Sequence, residues 1–372
     1  AQVIGRRTLT VVAKSKFEHV RDTLLEEIKK GVYEQNLKLP SESELIERFG
    51  VARETVRKAI SDLVRKGLVM RRKGAGSFIT KQGQRRSGLI GLLVPDASSA
   101  RIFKDFVSEI SRLARRNGYE VVVRDMNAGS IAETKVRVRR MARELAVQNV
   151  EGIVFRPLID ERLAASNLEV IRIFKNAETP VVLMDSDVVA SPERSECDLI
   201  TIDNVSAGRR VAEHLLKQGR RKVAFMMNGT VLRHNENWRN RLFGVAGELA
   251  LRNVEDAVRS LDFKPDNLSG LKRLYKSDFR PDAIVCGNDE TAVQLIDSLL
   301  AIGKRVPDDV AVVGFDDADI AASYKIPLTT VRQPSKLIAM SVLRTLLARI
   351  SRPDDDPREI HLSAPLVVRA ST

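Results

Sequence analysis

The sequence predicts an α/β protein: an N-terminal winged helix-turn-helix followed by two parallel-sheet α/β/α lobes. Three observations carry this. Residues 39–69, LPSESELIERFGVARETVRKAISDLVRKGLV, place a cap, a helix, a glycine turn and an arginine-bearing helix in succession. From Leu89 onward, short apolar runs alternate with amphipathic helices, the pattern of parallel sheets covered on both faces. Between the two lies KQGQRRSG at 81–88, polar, basic and glycine-containing, which reads as a linker.

Residues 1–13 read as a tail, because AQVIGRRTLTVVAK lacks the apolar core and cleavage site of a secretion signal. The head is expected over 14–80. Ser41 can cap a helix whose first turn carries Glu42 and Glu44, acids that suit the positive end of the helix dipole. Leu45, Ile46 and Phe49 give that helix its apolar side, and Gly50 allows the left-handed turn that stops it. A second helix is expected from about Ala52 to Lys66, with Val56, Ala59, Ile60, Leu63 and Val64 as its buried stripe. Arg53 and Arg57, four apart, share one edge of its N-terminal half, while Glu54, Thr55 and Lys58 lie on its exposed side. In helix-turn-helix docking that half reaches base edges, where an arginine can bond bidentately to guanine. Two short strands around Lys73, Gly74, Ala75 and Gly76 then form a wing whose small tip can approach a phosphate or the minor groove.

From about Phe17 to Thr80 the chain resembles the GntR family of winged-helix regulators, on LPSE at 39–42, TVR at 55–57, the run from Leu63 to Val69 and GAGSF at 74–78. The resemblance implies DNA contacts by Arg53, Thr55, Arg57, Gly74 and Gly76, with Ser41, Glu54, Lys58 and Lys73 beside them. Ser43 stands where many members place arginine, and Ala52 replaces a common serine or threonine. Both departures concentrate the expected base reading on Arg53, Thr55 and Arg57.

Composition narrows the partners. The 372 residues suffice for two or three domains with substantial cores, and 43% hydrophobic with 30% charged content describes a globular chain. A net charge of +13 favours a polyanion, and the helix-turn-helix tips the choice from a membrane surface to operator DNA. Cys197 and Cys286 have no partners at metal-ligand spacing, and His19, His214, His234 and His361 are scattered, so no zinc site or disulfide framework is expected. No apolar run is long enough to span a bilayer, and a cytoplasmic location is expected.

Over 89–372, buried strands are expected at 89–95, 120–125, 152–157, 180–185, 199–203, 222–227, 282–287 and 310–316, with helices at about 102–117, 131–148 and 160–177. The strands fall into two groups, hence two lobes: the first about 89–190 with 335–362, the second about 191–334 with the C-terminal tail. Open α/β sheets bind ligands beyond the carboxyl ends of their strands. Asp96, Phe155, Arg156, Asp185, Asn288, Asp289 and Asp316 stand there. Carboxylates accept from sugar hydroxyls, amides donate and accept, and aromatic faces stack on a sugar ring. For Asp289, capping the following helix is the competing role.

This region resembles the LacI family effector domain, itself similar to periplasmic sugar-binding proteins, on IGLLVPD at 90–96, TIDNVSAGRRVAEHLL at 201–216, NDETAV at 288–293, VPDDVAVVGFDD at 306–317 and PLTTVRQP at 327–334. The resemblance implies a pocket of Asp185, Arg241, Asn288 and Asp316, with Asn237 and Trp238 as neighbours and Phe103 lining the first lobe. In SLDFKPDNLSG, Pro265 occupies the place where members often supply a stacking aromatic, with Phe263 nearby. A GntR-type head on this domain, without a minor-groove hinge helix, is the arrangement that arabinose-repressor-type regulators have.

The expected function is therefore ligand-controlled transcriptional repression by a homodimer, with a small carbohydrate effector and a nucleoside or purine as the alternative. A sugar receptor without regulatory role is the second class. An enzyme is the third, and no Walker loop, dinucleotide glycine motif, nucleophile elbow or metal cluster supports it, so neither catalytic residues nor cofactors nor a metal are assigned.

Overall fold

The computed structural model describes residues 15–29, 32–33, 37–80, 87–95, 101–226, 235–254 and 258–372, apart from the side chains of 29 and 101–104. Asp96 lies outside the described residues, and so does the Phe103 side chain. The chain divides into two compact units, Ala1–Gly88 and Leu89–Thr372.

The first unit comprises α1 (Lys16–Lys29), α2 (Glu42–Phe49), α3 (Arg53–Arg65) and the antiparallel strands β1 (Val69–Arg72) and β2 (Gly76–Ile79). Ser41 closes a capping box: its hydroxyl accepts from Glu44 N at 3.2 Å while its own N–H donates to Glu44 Oε2 at 2.6 Å. Such a cap contributes about 1 kcal/mol. Gly50 ends α2 in the left-handed conformation at φ 58°. Val56, Ala59, Ile60 and Leu63 of α3 pack with Val20, Leu24 and Ile28 of α1 and with Leu45 of α2 in one core, closed by Val69 and Ile79 of the wing.

In the second unit two six-stranded sheets form from β3 (Leu89–Val94), β4 (Glu120–Asp125), β5 (Gly152–Phe155), β6 (Val181–Met184), β7 (Asp198–Ile202), β8 (Val223–Met226), β9 (Val258–Leu261), β10 (Ala283–Cys286), β11 (Ala311–Asp316), β12 (Thr329–Arg332), β13 (Glu359–Leu362) and β14 (Leu366–Val367). One sheet runs β13-β7-β6-β5-β3-β4 and the other β14-β12-β11-β10-β8-β9. All pairings are parallel except β12 with β14. The intervening helices are α4 (Arg101–Arg116), α5 (Ile131–Val147), α6 (Ala164–Asn176), α7 (Asn204–Lys217), α8 (Glu236–Leu251), α9 (Leu268–Lys276), α10 (Asp289–Ala301), α11 (Asp319–Ser323) and α12 (Ser335–Ser351).

One expectation is corrected by the pairing. Residues 199–203 were grouped with the second lobe, yet β7 sits inside the first sheet between β6 and β13. A fully buried strand carries no periodicity that tells which sheet it joins. The chain thus passes between lobes after β7, after β12 and after β13. These crossings are bonded to one another's neighbourhood by Asp203 N to Leu362 O at 2.8 Å and Arg332 N to Pro365 O at 2.8 Å.

Candidate functional site

In the first unit, Arg53 and Arg57 project from the start of α3 with side chains 68% and 48% exposed, accessible to a polyanion. Both face Glu42: Arg57 Nε donates to Oε2 at 3.1 Å and Arg53 Nε lies at 3.6 Å. Arg71 of β1 reaches the same carboxylate at 3.4 Å. One acid therefore gathers two reading-helix arginines and one wing arginine, a grouping that the sequence spacing of 15 and 29 residues conceals. Thr55 is half-buried and Glu54 exposed. Lys58 folds back, its ammonium 5.1 Å from the Phe17 ring centre, so it braces α1 as well as carrying charge. The Ser41 hydroxyl is engaged in its cap. In the wing, Lys73 is exposed, and Gly74 and Gly76 take φ of 78° and 112°, which side-chain-bearing residues rarely adopt. Arg72 and Lys38 both lie over the Phe78 ring, at 5.0 and 5.8 Å. Charge is concentrated here: residues 1–88 carry 20 Lys and Arg against 10 Asp and Glu, leaving 42 against 39 for the rest. An excess of that size on a small unit is the electrostatic footprint of a nucleic-acid reader.

In the second unit, the carboxyl ends of adjacent strands bring Arg156 and Asp185 together, with Arg156 Nε and Nη2 both donating to Asp185 Oδ2 at 3.0 and 2.8 Å. Asp185 takes φ 76°, a strained value for a non-glycine residue, and is over-determined by its bonds. Its N–H donates to Ile200 O, and its carbonyl accepts from Thr201 Oγ1 at 2.9 Å. Asn237 Nδ2, from α8, donates to both Asp185 O (3.1 Å) and Oδ1 (2.9 Å), joining the first sheet to the second lobe. The chain continues: Asn204 Nδ2 donates to Asn237 Oδ1 at 2.9 Å, and Arg241 Nε donates to Asn204 Oδ1 at 2.8 Å. Arg241 Nη1 reaches Gly287 O at 2.5 Å, and its guanidinium stacks 4.4 Å from the Phe315 ring centre. Arg241 is 3% exposed. Burial lowers its pKa, opposed by the charges of Asp316, Asp185 and Asp289.

Asp316 ends β11 with φ 114°, and Asp317 follows at φ 56°. Burial raises the Asp316 pKa, Arg241 opposes the shift, and Gln333 Nε2 donates to its Oδ1 at 3.2 Å. Asp317 faces outward from this cluster to Arg332 and Arg369, whose hydrogen bonds outweigh its burial and hold its pKa low. Asn288, not Asp289, caps α10, its side chain accepting from Thr291 N at 2.9 Å. Asp289 is 1% exposed and accepts from Thr330 Oγ1 at 2.5 Å and Ala318 N at 2.8 Å, pinning the loop after β11. Its pKa is pushed up to about 8, by burial first and then by Asp316.

One sequence expectation changes. Phe155 is fully buried in the core of the first lobe with Leu93, Leu183 and Phe174, so it packs rather than lining a cleft. Strand side chains alternate faces, and the residue at the strand's last position points inward here. Trp238 is 7% exposed, its ring against Gly287, where an added Cβ would lie 2.2 Å from the indole. Phe263 packs on the core beneath α9, and Pro265 is buried. Asn204 was missed, because as the first residue of a helix it reads as local capping. His214 bonds Thr372 and His361 bonds Glu359, so neither joins this cluster. Among the described residues no group of His, Cys, Asp or Glu could hold a metal ion, and no helix is long and apolar enough to cross a membrane.

Comparison with known proteins follows the same division. Residues 16–79 match the gntR family of bacterial regulatory proteins and residues 212–372 match a periplasmic binding protein-like domain. An arabinose metabolism transcriptional repressor of Halalkalibacterium halodurans is 25% identical over 376 residues, covering 96% of this chain and 97% of its own. The HTH-type transcriptional repressor PurR of Vibrio campbellii is 28% identical over 287 residues, covering 75% and 80%. Among solved structures, a complex of the transcriptional regulator CelR with cellobiose shares the fold, with TM-score 0.64, 24% identity and coverage of 86% and 90%.

Proposed function

We propose that this chain, a gntR-type winged helix joined to a periplasmic-binding-protein-like domain with LacI-family structural neighbours, is a ligand-responsive transcriptional repressor. It binds operator DNA through α3 and the wing as a homodimer, and a small carbohydrate in the cleft between its lobes. Repressors that align along nearly the whole chain support the regulatory role, and the cytoplasm is where such a protein meets its operator. It has no catalytic role in this reading.

The observation that carries the effector site is the chain Arg156–Asp185–Asn237–Asn204–Arg241, which joins the lobes through donors and acceptors alone. Arg156 and Asp185 offset each other's charge, so the site suits an uncharged ligand rich in hydroxyls. Asn288 and Asp316 stand at neighbouring strand ends of the second lobe. A sugar that bonds this chain binds the joined arrangement of the lobes more tightly than a separated one, and differential affinity of that kind is what shifts a conformational equilibrium.

A thermal-shift screen with L-arabinose, D-ribose, cellobiose, adenosine and guanine tests the effector class. A ligand at a hundredfold its Kd stabilises by about 2.7 kcal/mol. A shift with purines alone would reverse the sugar assignment, and no shift with any of the five would remove the support for a sugar or purine effector. Gel-shift loss on deleting residues 1–80, with ligand binding retained, separates regulator from simple receptor.

A further inference from the structure

The turn after β11 puts Asp316 and Asp317 side by side at φ 114° and φ 56°, both in the region that side-chain-bearing residues rarely adopt. Such backbone persists only where its surroundings over-determine it, and it gathers where a site needs a fixed geometry. Each residue of the turn has its own holder. Gln333 N donates to Asp316 O at 3.3 Å, and Ala318 N donates to Asp289 Oδ2 at 2.8 Å. Between them, Asp317 accepts from Arg332 Nε on one carboxylate oxygen at 2.5 Å and from Arg369 Nη2 on the other at 2.6 Å.

The two arginines are not equivalent. The Arg332 side chain is 54% exposed, whereas that of Arg369 is 17% exposed and that of Asp317 9%. A pair shielded from solvent is screened much less than one in water, so Arg369 is the firmer holder. Arg369 is itself fixed at both ends. Its Nη1 donates to Leu328 O at 2.8 Å, and its backbone N–H donates to Thr329 Oγ1 at 2.8 Å. The segment that carries it is also stitched in independently of the guanidinium. There β14 pairs with β12, and the Ser371 hydroxyl donates to Val312 O at 2.6 Å and accepts from Thr329 N at 2.8 Å. A segment anchored in this way presents a rigid cation to the turn.

We infer that Arg369 is a positioning residue for the effector: through Asp317 it keeps the turn in its strained form and so aims the Asp316 carboxylate at the ligand. This rests on Asp316 being an effector-binding acid, as proposed above. With Asp317 released, the turn relaxes towards negative φ. A rotation of that size carries the Asp316 carboxylate away from Gln333, whose Nε2 meets it at 3.2 Å, and from the charge of Arg241. A ligand hydroxyl that must bond this carboxylate then finds it aligned in only a fraction of the molecules, and the apparent affinity falls by that fraction.

The full chain carries a reporter for the test. Trp238, the single tryptophan, lies against Gly287, whose carbonyl accepts from Arg241. Its fluorescence is titrated with L-arabinose, D-ribose and cellobiose, and the sugar that binds the parent is carried into the variants. Asp316→Ala should lose the response. Arg369→Met should weaken binding at least tenfold, and Arg369→Lys, which keeps a cation for Asp317, should recover part of that loss. Ser371→Ala removes bonds from the same segment without touching Asp317, so it should lower the melting temperature and stay within twofold in affinity. Asp317→Asn keeps a residue that tolerates positive φ and removes the charge. On that background Arg369→Met should cost less than in the parent, because both changes act through one contact. Three results overturn the role of Arg369: binding by Arg369→Met within twofold of the parent while Asp316→Ala fails to bind, equal affinity losses in Arg369→Met and Ser371→Ala, or additive losses with Asp317→Asn. A parent that answers none of the sugars, or an Asp316→Ala variant that binds as the parent does, overturns the effector site itself and the role of Arg369 with it.

Discussion

Arg156 and Asp185 stand at the carboxyl ends of the neighbouring strands β5 and β6, and both guanidinium donors, Nε and Nη2, converge on a single carboxylate oxygen, Oδ2. The other oxygen, Oδ1, is left for Asn237 of the opposite lobe. One carboxylate therefore holds its own lobe with one oxygen and the facing lobe with the other.

Replacing Asp185 with alanine should abolish the ligand-induced rise in melting temperature and cost about 1–3 kcal/mol of stability, since it strands the donors of Arg156 and Asn237. Asp185→Asn should keep the Asn237 contact and recover part of the stability without the ligand response. Differential scanning fluorimetry with and without effector checks both. An unchanged ligand shift in the alanine variant would remove Asp185 from the site.

Arg57 and Lys73 should fail differently on DNA. Arg57→Ala should cost about 1–3 kcal/mol and relax preference at one operator position, as loss of a base contact does. Lys73→Ala should weaken all sequences alike and reduce the slope of log affinity against log salt by about 0.9. Glu42→Gln should release Arg53, Arg57 and Arg71 from their shared acid, raising affinity for arbitrary duplex more than for operator. Salt titrations on matched operator and scrambled duplexes separate these outcomes, and identical salt slopes for the Arg57 and Lys73 variants would contradict the division of labour.

The helices α7 and α8 meet backbone to backbone at Gly208 and Gly244. A Cβ on Gly244 would lie 2.1 Å from Val205 O, and one on Gly208 would lie 2.2 Å from Arg241 O. Gly244→Ala should therefore destabilise by roughly 1–3 kcal/mol through forced separation of the pair. It should also weaken effector binding, because Asn204 and Arg241 sit on those two helices. Urea unfolding and isothermal titration read the two effects. Full retention of both would show that the helices part without consequence.

The stability of the second unit should fall as pH rises through the range ending near the Asp289 pKa of about 8. The folded pKa is raised above the ordinary value of 3.8, so the folded state binds the extra proton between the two values. The stabilisation is complete below the lower pKa and is lost as pH climbs through the upper one, with a slope of at most about 1.4 kcal/mol per pH unit. Asp289→Asn mimics the protonated form, offering an oxygen to Ala318 N and a donor to Thr330. It should match the parent below about pH 4, where the parent carries the proton in both states, and exceed its stability by a margin that grows up to pH 8 and then stays level. Parallel urea midpoints across pH in the two proteins would sink the idea.

The head was legible because its determinants are local: Ser41, Gly50 and the α3 stripe each act within a few residues of themselves. The α/β plan was legible for the same reason, one strand and one helix at a time. What escaped was set by pairing across the chain. The membership of β7 depends on β6 and β13, the latter some 160 residues away in the register of Leu199 with Glu359. The inward turn of Phe155 depends on which face the strand offers to α5 and α6. The sequence groups Asp185, Arg241 and Asp316 and their charges do act on one another in the structure, whereas Asn204 and the Glu42 gathering of arginines needed coordinates, since neither shows a motif.

The three passages between lobes have a mechanical meaning. They run side by side, tied by Asp203 to Leu362 and Arg332 to Pro365, and Arg210 anchors the third by bonding Ala364 O and Ser363 Oγ. Parallel straps resist sliding and stretching but leave one soft rotation, about the line that joins them. Asn237 and Asp185 lie close to that line, since Asn237 bonds Asn204, the residue after Asp203, and Asp185 bonds Ile200 and Thr201 at the end of β7, so a small displacement there becomes a large swing at the far edge of the second lobe. Severing any single strap should free further rotations rather than detach a lobe, so nicking after β7 would blur the angle while leaving both sheets folded.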